Sequence, residues 1–542
     1  MDYKIKEMKK QIHKTRLSRW LLPVVLVFAI ISTKAQNGVI FENDRVLIQD
    51  REIPAGKNPL LGVYKDTLVV AGDTVSKKVV KEGDGVDRGK YTTFASEKHI
   101  SFKPGFHAKK GSYTLGIIAK ANVCVVTNTN NDGEGSLRAA ILCANSNLGV
   151  DSIAFAIPGE NPVIKPLSSL PAIMDGILID GGTSHVTISG ENFADAGLKF
   201  GEDIWSITIR NMTFKNVDTA ISIMAGSSHL NIENNVFNNG VIAVKIASNA
   251  VSSIVNNTID GTSVGIYVDK GENDTIRRNR FDNVVTAIHL GYTTFTIVDS
   301  NIVNKASGSA IIVDSVYVLS INKNEIVQAG IDAINIKAAN HVPVDGNIIG
   351  KDSLSVKGAG IAGKGINFYI TNNTIVGTHT YAIDLNDPKG FAYVQNNVIG
   401  INVTGDTIGN SGVGVRTLSL SFIEKNKIVH CKGYALYARE NAYVNKNEFA
   451  YNMVQAVYIE NRNVQLLGNT FRNSVSAKAI DIHKTANEGK QPASFQRYWF
   501  DSNNRLVIEG AGIVGDTVEL FLNNGKSQQA LAWIGSCVAN AE

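Results

Sequence analysis

From Asn211 to Phe471 one short phrase returns about every 22 to 24 residues: an Asn, one variable residue, then Ile, Val or Phe. It reads Asn235-Val-Phe237, Asn257-Thr-Ile259, Asn279-Arg-Phe281, Asn324-Glu-Ile326, Asn397-Val-Ile399 and Asn469-Thr-Phe471, among others. A fixed period of this size means stacked units that bury their apolar faces only against their neighbours. The chain is therefore expected to be a solenoid, with its function on the surface.

A second phrase lies between the asparagines: a small residue, then alternating apolar and variable positions, as in Ala220-Ile-Ser-Ile223, Gly265-Ile-Tyr-Val268 and Ala382-Ile-Asp-Leu385. Period-two alternation rich in Ile and Val predicts half-buried strands. Each unit is then expected to hold at least two short strands, with three fitting best. Units this short leave no room for a strand plus a full helix. The repeated Asn has a structural task in this reading: it tolerates the left-handed backbone of a tight corner, and its amide can bond the Asn above and below.

On these two phrases the chain resembles the right-handed parallel β-helix of the pectate-lyase-like superfamily, over roughly residues 150 to 500. The resemblance implies an all-β solenoid of about 12 or more coils. It leaves function open, because that architecture serves lyases, glycosidases, epimerases, phage tail proteins and non-catalytic adhesins. Two intervals run long, one at Gly358 to Gly365 and one between Asn397 and Asn426. Insertions in a coil map to loops, which often shape binding sites.

Residues 1–35 read as a secretory signal peptide: basic residues from Lys4 to Arg19, an apolar stretch from Trp20 to Ile31, and Ala35 at the expected cut. The apolar run is too short for a stable membrane span. This segment has eight basic residues against Asp2 and Glu7, a net of +6; the whole chain is +4, so the mature part carries about −2. Nothing then suggests a nucleic-acid surface. Sec export from a bacterium to the cell surface or medium is the expected localisation.

Residues 36–120 lack the Asn period and are expected to form a small β region. Within it, Ile100-Ser-Phe-Lys-Pro104-Gly-Phe-His-Ala108-Lys-Lys-Gly-Ser112 resembles a short β element common in exported proteins of Bacteroidetes type. Ser136 is expected to cap a short helix running to about Asn145, with a strand from Asp151 to Ile157. Ser136-Leu-Arg138-Ala-Ala-Ile141 resembles the Ser-Leu-Arg-x-Ala-Ile segment that introduces many surface β-helix proteins, although Gly135 stands where a Cys often precedes the Ser. Its expected role is to cover the open strand edges of the first coil. The solenoid with this cap spans residues 121–502. Residues 503–542 resemble the start of an immunoglobulin-like module, read here as truncated, with direct capping of the solenoid as the alternative.

Cys124 and Cys143 are the only cysteines close enough in sequence to suggest a disulfide; ordinary buried cysteines are the favoured reading, with pairing left open. The histidines do not cluster at metal-ligand spacings, so no metal and no cofactor is expected. The variable strand positions line up as two vertical ladders. One runs Ser222, Lys245, Tyr267, His289, Ile312, Asn335, Asp384, Arg416, Tyr437, Tyr458, Asp481; its neighbour includes Asp269, Gly291, Asp314, Lys337, Arg439, Glu460 and His483.

Tyrosine faces suit sugar rings, while Arg and carboxylates bond hydroxyls, so Tyr437, Arg439, Tyr458, Glu460, Asp481 and His483 are the candidate binding residues. The competing reading is a solvated ladder in which Arg439 and Glu460 merely pair. Asp269 and Asp314, two coils apart, suit the carboxylate spacing of an inverting glycosidase, but a structural role is favoured for them. The acidic calcium cluster with an Arg base of pectate lyases, and the Asn-Thr-Asp, Asp-Asp and Gly-His-Gly segments of polygalacturonases, are not found in the chain. The expected function is an exported, non-catalytic surface scaffold or adhesin binding a polysaccharide or cell-surface glycan. The alternative is a polysaccharide lyase, glycosidase or epimerase using the same face.

Overall fold

The computed structural model describes residues 122–146, 149–224, 226–247, 251–353, 355–386, 390–474, 479–486, 493–522 and 532–540, together with the strands between Val39 and Ile118. The expected signal peptide at 1–35 lies outside the described residues, as does the Lys103 to Ser112 part of the string that begins at Ile100. Two units divide the chain: residues 1–124 with 142–152 and 175–178, and residues 125–141 with 153–174 and 179–542.

In the first unit most strands pair in parallel. Arg45–Ile48, Thr67–Val70 and His99–Phe102 run side by side, as do Val63–Tyr64, Tyr91–Ser96 and Tyr113–Ile118. Only Val39–Glu42 and Arg45–Ile48 are antiparallel there, among the described residues. This unit also corrects the favoured reading of the cysteines. Cys124 and Cys143 are joined by a disulfide across a separation of 19 residues. The strand Val123–Val126 and the helix Leu137–Ala144 bring their Cα atoms to 6.1 Å, within the range a disulfide spans.

The second unit is a right-handed parallel β-helix, as expected. One sheet of 24 strands runs from Val163–Ile164 to Ile480–Ile482, and the solenoid part of a 15-stranded sheet runs from Trp205–Arg210 to Val464–Leu467. Each regular coil gives one strand to the 15-stranded sheet and two to the other, as with Thr296–Asp299, Ile302–Val303 and Ile311–Val316. The interior is filled by rows of identical or similar residues. One row reads Ile232, Ile254, Ile276, Val298, Ile321 and Val344, all fully buried. The small residue of the second phrase is the tight point of the coil. At Gly265 a Cβ would come within 2.5 Å of the Phe281 ring and 2.6 Å of the Ala287 carbonyl, so the larger Phe281 on the next coil excludes Ala.

The asparagine ladder exists, but the corner is one residue earlier than expected. The left-handed residues are Asn234, Asn256, Arg278, Ser300, Lys323, Asn372, Asn396, Lys425 and Lys446, each directly preceding a ladder Asn. The ladder asparagines themselves are buried. Asn211 falls in this corner class with φ of 56°, and Met212 takes the ladder position, its N–H donating to Asn235 Oδ1 at 3.1 Å.

The first long interval is also relocated. Gly358 to Gly365 contains the ordinary strand Ile361–Gly363, and the additional residues lie at Gly350 to Ser355. Both long loops leave the solenoid at the same kind of position, just after the Asn-x-Ile strand. Gly350 and Gly400 begin them with φ of 84° and 96°, and a Cβ on either would meet a carbonyl oxygen at 1.9 Å. Only glycine fits both the backbone sign and the space.

The helix is Leu137–Ala144, with Ser136 Oγ accepting from the Ala139 N–H at 3.2 Å. Leu137, Ala140, Ile141 and Ala144 form its buried stripe, the i, i+3, i+4, i+7 pattern of an amphipathic helix. Arg138 donates to the carbonyls of Ser168 and Ser169 at 3.1 and 2.8 Å, which gives the Arg of that segment a structural role. At the other end two antiparallel hairpins follow: Ser494–Phe500 with Leu506–Ala511, and Thr517–Leu522 with Ala532–Val538. The expected boundary between 502 and 503 falls in the turn of the first. Glu519 Oε1 of the second accepts the Gly468 N–H at 2.6 Å. Among the described residues no helix is long and apolar enough to cross a membrane.

Candidate functional site

Short alternating strands in parallel register place every second side chain outward, and the register of the 24-stranded sheet fixes which of these become neighbours. Asp384 pairs with Arg416, Arg416 with Tyr437, Tyr437 with Tyr458, and Tyr458 with Asp481. The ladder expected from the sequence is thus present rung by rung. In its upstream half Ser222, Lys245, Tyr267, His289, Ile312 and Asn335 follow the same register. Ala362 supplies the rung between Asn335 and Asp384.

At the C-terminal end the rings of Tyr437 and Tyr458 lie 5.2 Å apart and tilted by 34°, and Tyr434 stacks on Tyr458 at 5.1 Å. Tyr434 was not among the sequence candidates. It precedes the alternating phrase, so only the coil geometry brings it over Tyr458. Tyr437 donates its hydroxyl to Glu460 Oε2 at 2.6 Å. Burial first, then this bond and the Glu460 charge, push the Tyr437 phenol well above its ordinary pKa. Arg439 approaches the same carboxylate at only 3.9 Å, with both side chains about two-fifths exposed, a loose contact that contributes little. Glu460 is therefore held by the tyrosine, and the guanidinium of Arg439 is left facing solvent.

One rung upstream, Arg416 donates to both oxygens of Asp384 at 2.6 and 2.7 Å and lies 4.3 Å over the Tyr381 ring. Burial opposes the Arg416 charge, but the Asp384 bond and charge outweigh it and raise its pKa. A bidentate, ring-stacked arginine is locked in place. Asp481 is half-buried and His483 exposed, the latter with Nδ1 2.9 Å from Thr485 Oγ1. The six candidates thus share one stretch of sheet, with both tyrosines stacked, Glu460 bonded to Tyr437, and Arg439 only loosely held.

Asp269 and Asp314 do not behave as a matched pair. Asp314 accepts from Lys337 Nζ at 2.7 Å and lies 2.7 Å from His289 Nε2; burial opposes ionisation, but these two partners outweigh it and hold its carboxyl below the usual range. Asp269 Oδ1 accepts the Tyr292 N–H at 3.3 Å. His289 also meets the edge of Tyr267, with centroids 5.2 Å apart. Among the described residues no group of three or more His, Cys, Asp or Glu could hold a metal ion.

The family model for the right handed beta helix region matches residues 175–349. Two solved structures of the Streptococcus pneumoniae surface adhesin PfbA are similar to this chain. One is 12% identical with a TM-score of 0.33, covering 78% of this chain and 100% of that one. The other is 14% identical with a TM-score of 0.35, covering 65% and 97%. The A-module of the Azotobacter vinelandii mannuronan C-5 epimerase AlgE6 is 11% identical with a TM-score of 0.22, covering 66% and 97%. No curated protein matches the sequence.

Proposed function

We propose that this chain is an exported, non-catalytic β-helix scaffold or adhesin that binds a glycan on the sheet face of Tyr437, Arg439, Tyr458, Glu460, Asp481 and His483. One observation supports it above the others: two half-exposed tyrosines in adjacent rungs, one fixed through its hydroxyl to Glu460. Rings held this way lose little freedom when a sugar settles on them. The carboxylate and the loosely held Arg439 beside them supply hydrogen bonds to hydroxyls. The pairing of Arg416 with Asp384 favours a binding face over an acid–base site, since both groups are already satisfied by each other.

A second reading, a polysaccharide lyase, glycosidase or epimerase, draws on the His289–Asp314 couple beside Tyr267. An imidazole oriented by a carboxylate is a workable general base. One experiment separates the two: the mature protein is incubated with a polysaccharide panel while new reducing ends and unsaturated-product absorbance are followed. The scaffold predicts binding without turnover. Turnover abolished by His289→Ala replaces it with the enzyme.

A further inference from the structure

We propose a second glycan-binding strip, on the 15-stranded sheet, that takes an uncharged extended polysaccharide along the solenoid axis. Tyr369, Tyr393, Phe422 and Tyr443 occupy one outward register line on four successive coils. Their rings stack in sequence, with centroids 5.4, 4.8 and 5.2 Å apart and planes within 8° to 15° of parallel. Aromatic carbons in contact are about 3.5 to 4.0 Å apart, so rings set at the wider coil spacing must be offset, each leaving part of its face uncovered. The result is a shingled apolar track roughly 15 Å long.

Two residues further along the same strands, Gln395, Glu424 and Asn445 form a parallel line of hydrogen-bonding groups. Gln395 donates to Glu424 at 3.2 Å. No hydrogen-bond partner is found among the described residues for the hydroxyls of Tyr369, Tyr393 and Tyr443, in contrast to Tyr437 on the other sheet. An apolar track with free phenols on it and a polar rail beside it matches a sugar chain, which offers flat C–H faces and hydroxyl edges. Glu424 on the rail opposes a polyanion, while the corner residues Lys425 and Lys446 offset it. No row of like charge runs beside the rings to select a charged polymer, and the apolar track with the neutral Gln395 and Asn445 suits an uncharged chain.

The test is affinity electrophoresis of the full chain through gels containing hydroxyethylcellulose, galactomannan or polygalacturonate. Retardation by at least one neutral polymer is expected. Replacing Tyr393→Ala with Phe422→Ala should weaken it at least about tenfold, also in a chain that already carries Tyr437→Ala and Tyr458→Ala. Retardation lost on replacing Tyr437 and Tyr458 but kept on replacing Tyr393 and Phe422 would place the polymer on the other face and overturn the strip, so the two sites are distinguished. Circular dichroism checks folding. If the double substitution unfolds the chain, Tyr443→Ala and the combined Tyr369→Phe, Tyr393→Phe and Tyr443→Phe variant replace it, and both should weaken retardation. The proposal is overturned if neither neutral polymer retards the unmodified protein, if only polygalacturonate does, or if folded variants are retarded as before. A sedimentation coefficient that falls on substituting the rings, with no polymer bound, would make the strip a contact between copies of the chain and overturn it equally.

Discussion

Asn347 Oδ1 accepts two hydrogen bonds from one residue on the preceding coil, from the backbone N–H of Asn324 at 2.9 Å and from its Nδ2 at 3.0 Å. Asn324 Nδ2 also donates to the Val298 carbonyl at 2.9 Å. The unit repeats from Asn235 to Asn469, so each amide closes a buried corner next to the strand ladder.

Asn324→Ala and Asn397→Ala should each lower the melting temperature. Removing the amide orphans buried donors on the preceding coil, and each such group costs about 1 to 3 kcal/mol. Glycan binding by the folded fraction should not change. Melting curves with unchanged midpoints would show that the ladder contributes nothing.

Asp274 gives a pH signature. It is buried, with Oδ1 bonded to the Ser252 N–H and hydroxyl and Oδ2 without a partner among the described residues. Burial pushes its carboxyl up to about 6 from an ordinary 3.8. A folded pKa above the unfolded one means the native state holds the proton more tightly. This contribution is therefore full below pH 3.8, is lost as the pH rises to about 6, and stays lost above that. Asp274→Asn should raise stability at pH 7 to 8 by on the order of 2 kcal/mol, with the gain vanishing near pH 3.5. Denaturant titrations at both pH values check it; an equal effect at both would point to packing instead.

The Cys124–Cys143 bridge can be counted and weighed. The chain has four cysteines, of which Cys431 and Cys537 are free. Thiol titration of the denatured protein should therefore find two without reductant and four with it. Replacing both bridged residues with Ala should destabilise their unit by about 3 kcal/mol, as for other loops of this size. Four thiols without reductant would remove the bridge.

Tyr437→Ala with Tyr458→Ala should weaken glycan-array binding at least about tenfold at nearly constant melting temperature, because each stacked ring contributes about 0.5 to 1.5 kcal/mol beyond its buried area. Tyr437→Phe keeps the ring and frees Glu460, and so should retain most of the affinity. Retained binding in the double variant would move the site off this face.

The inward half of the molecule was legible in the sequence. A side chain that points into a coil must match the space left by the coils above and below, so Ile, Val, Phe and Asn recur at one spacing and reveal strand, register and solenoid together. The ladder from Asp384 to Asp481 was readable for the same reason, since its outward residues alternate with inward ones already placed by the repeat.

The repeat therefore dictates the parallel coil, its buried rows and the outward order along a regular strand. The tertiary structure alone decided which outward groups satisfy each other and which remain available. Glu460 bonds Tyr437 more closely than Arg439, Asp314 is held by His289 and Lys337, and Tyr434 reaches Tyr458 from outside the alternating phrase. Tyr369, Tyr393, Phe422 and Tyr443 line up only because the loop beginning at Gly400 is set aside at a corner, leaving the register of the strands on either side of it intact. Outward positions pay no penalty for irregular composition, so no period marks them; their contacts exist only once the coils have stacked.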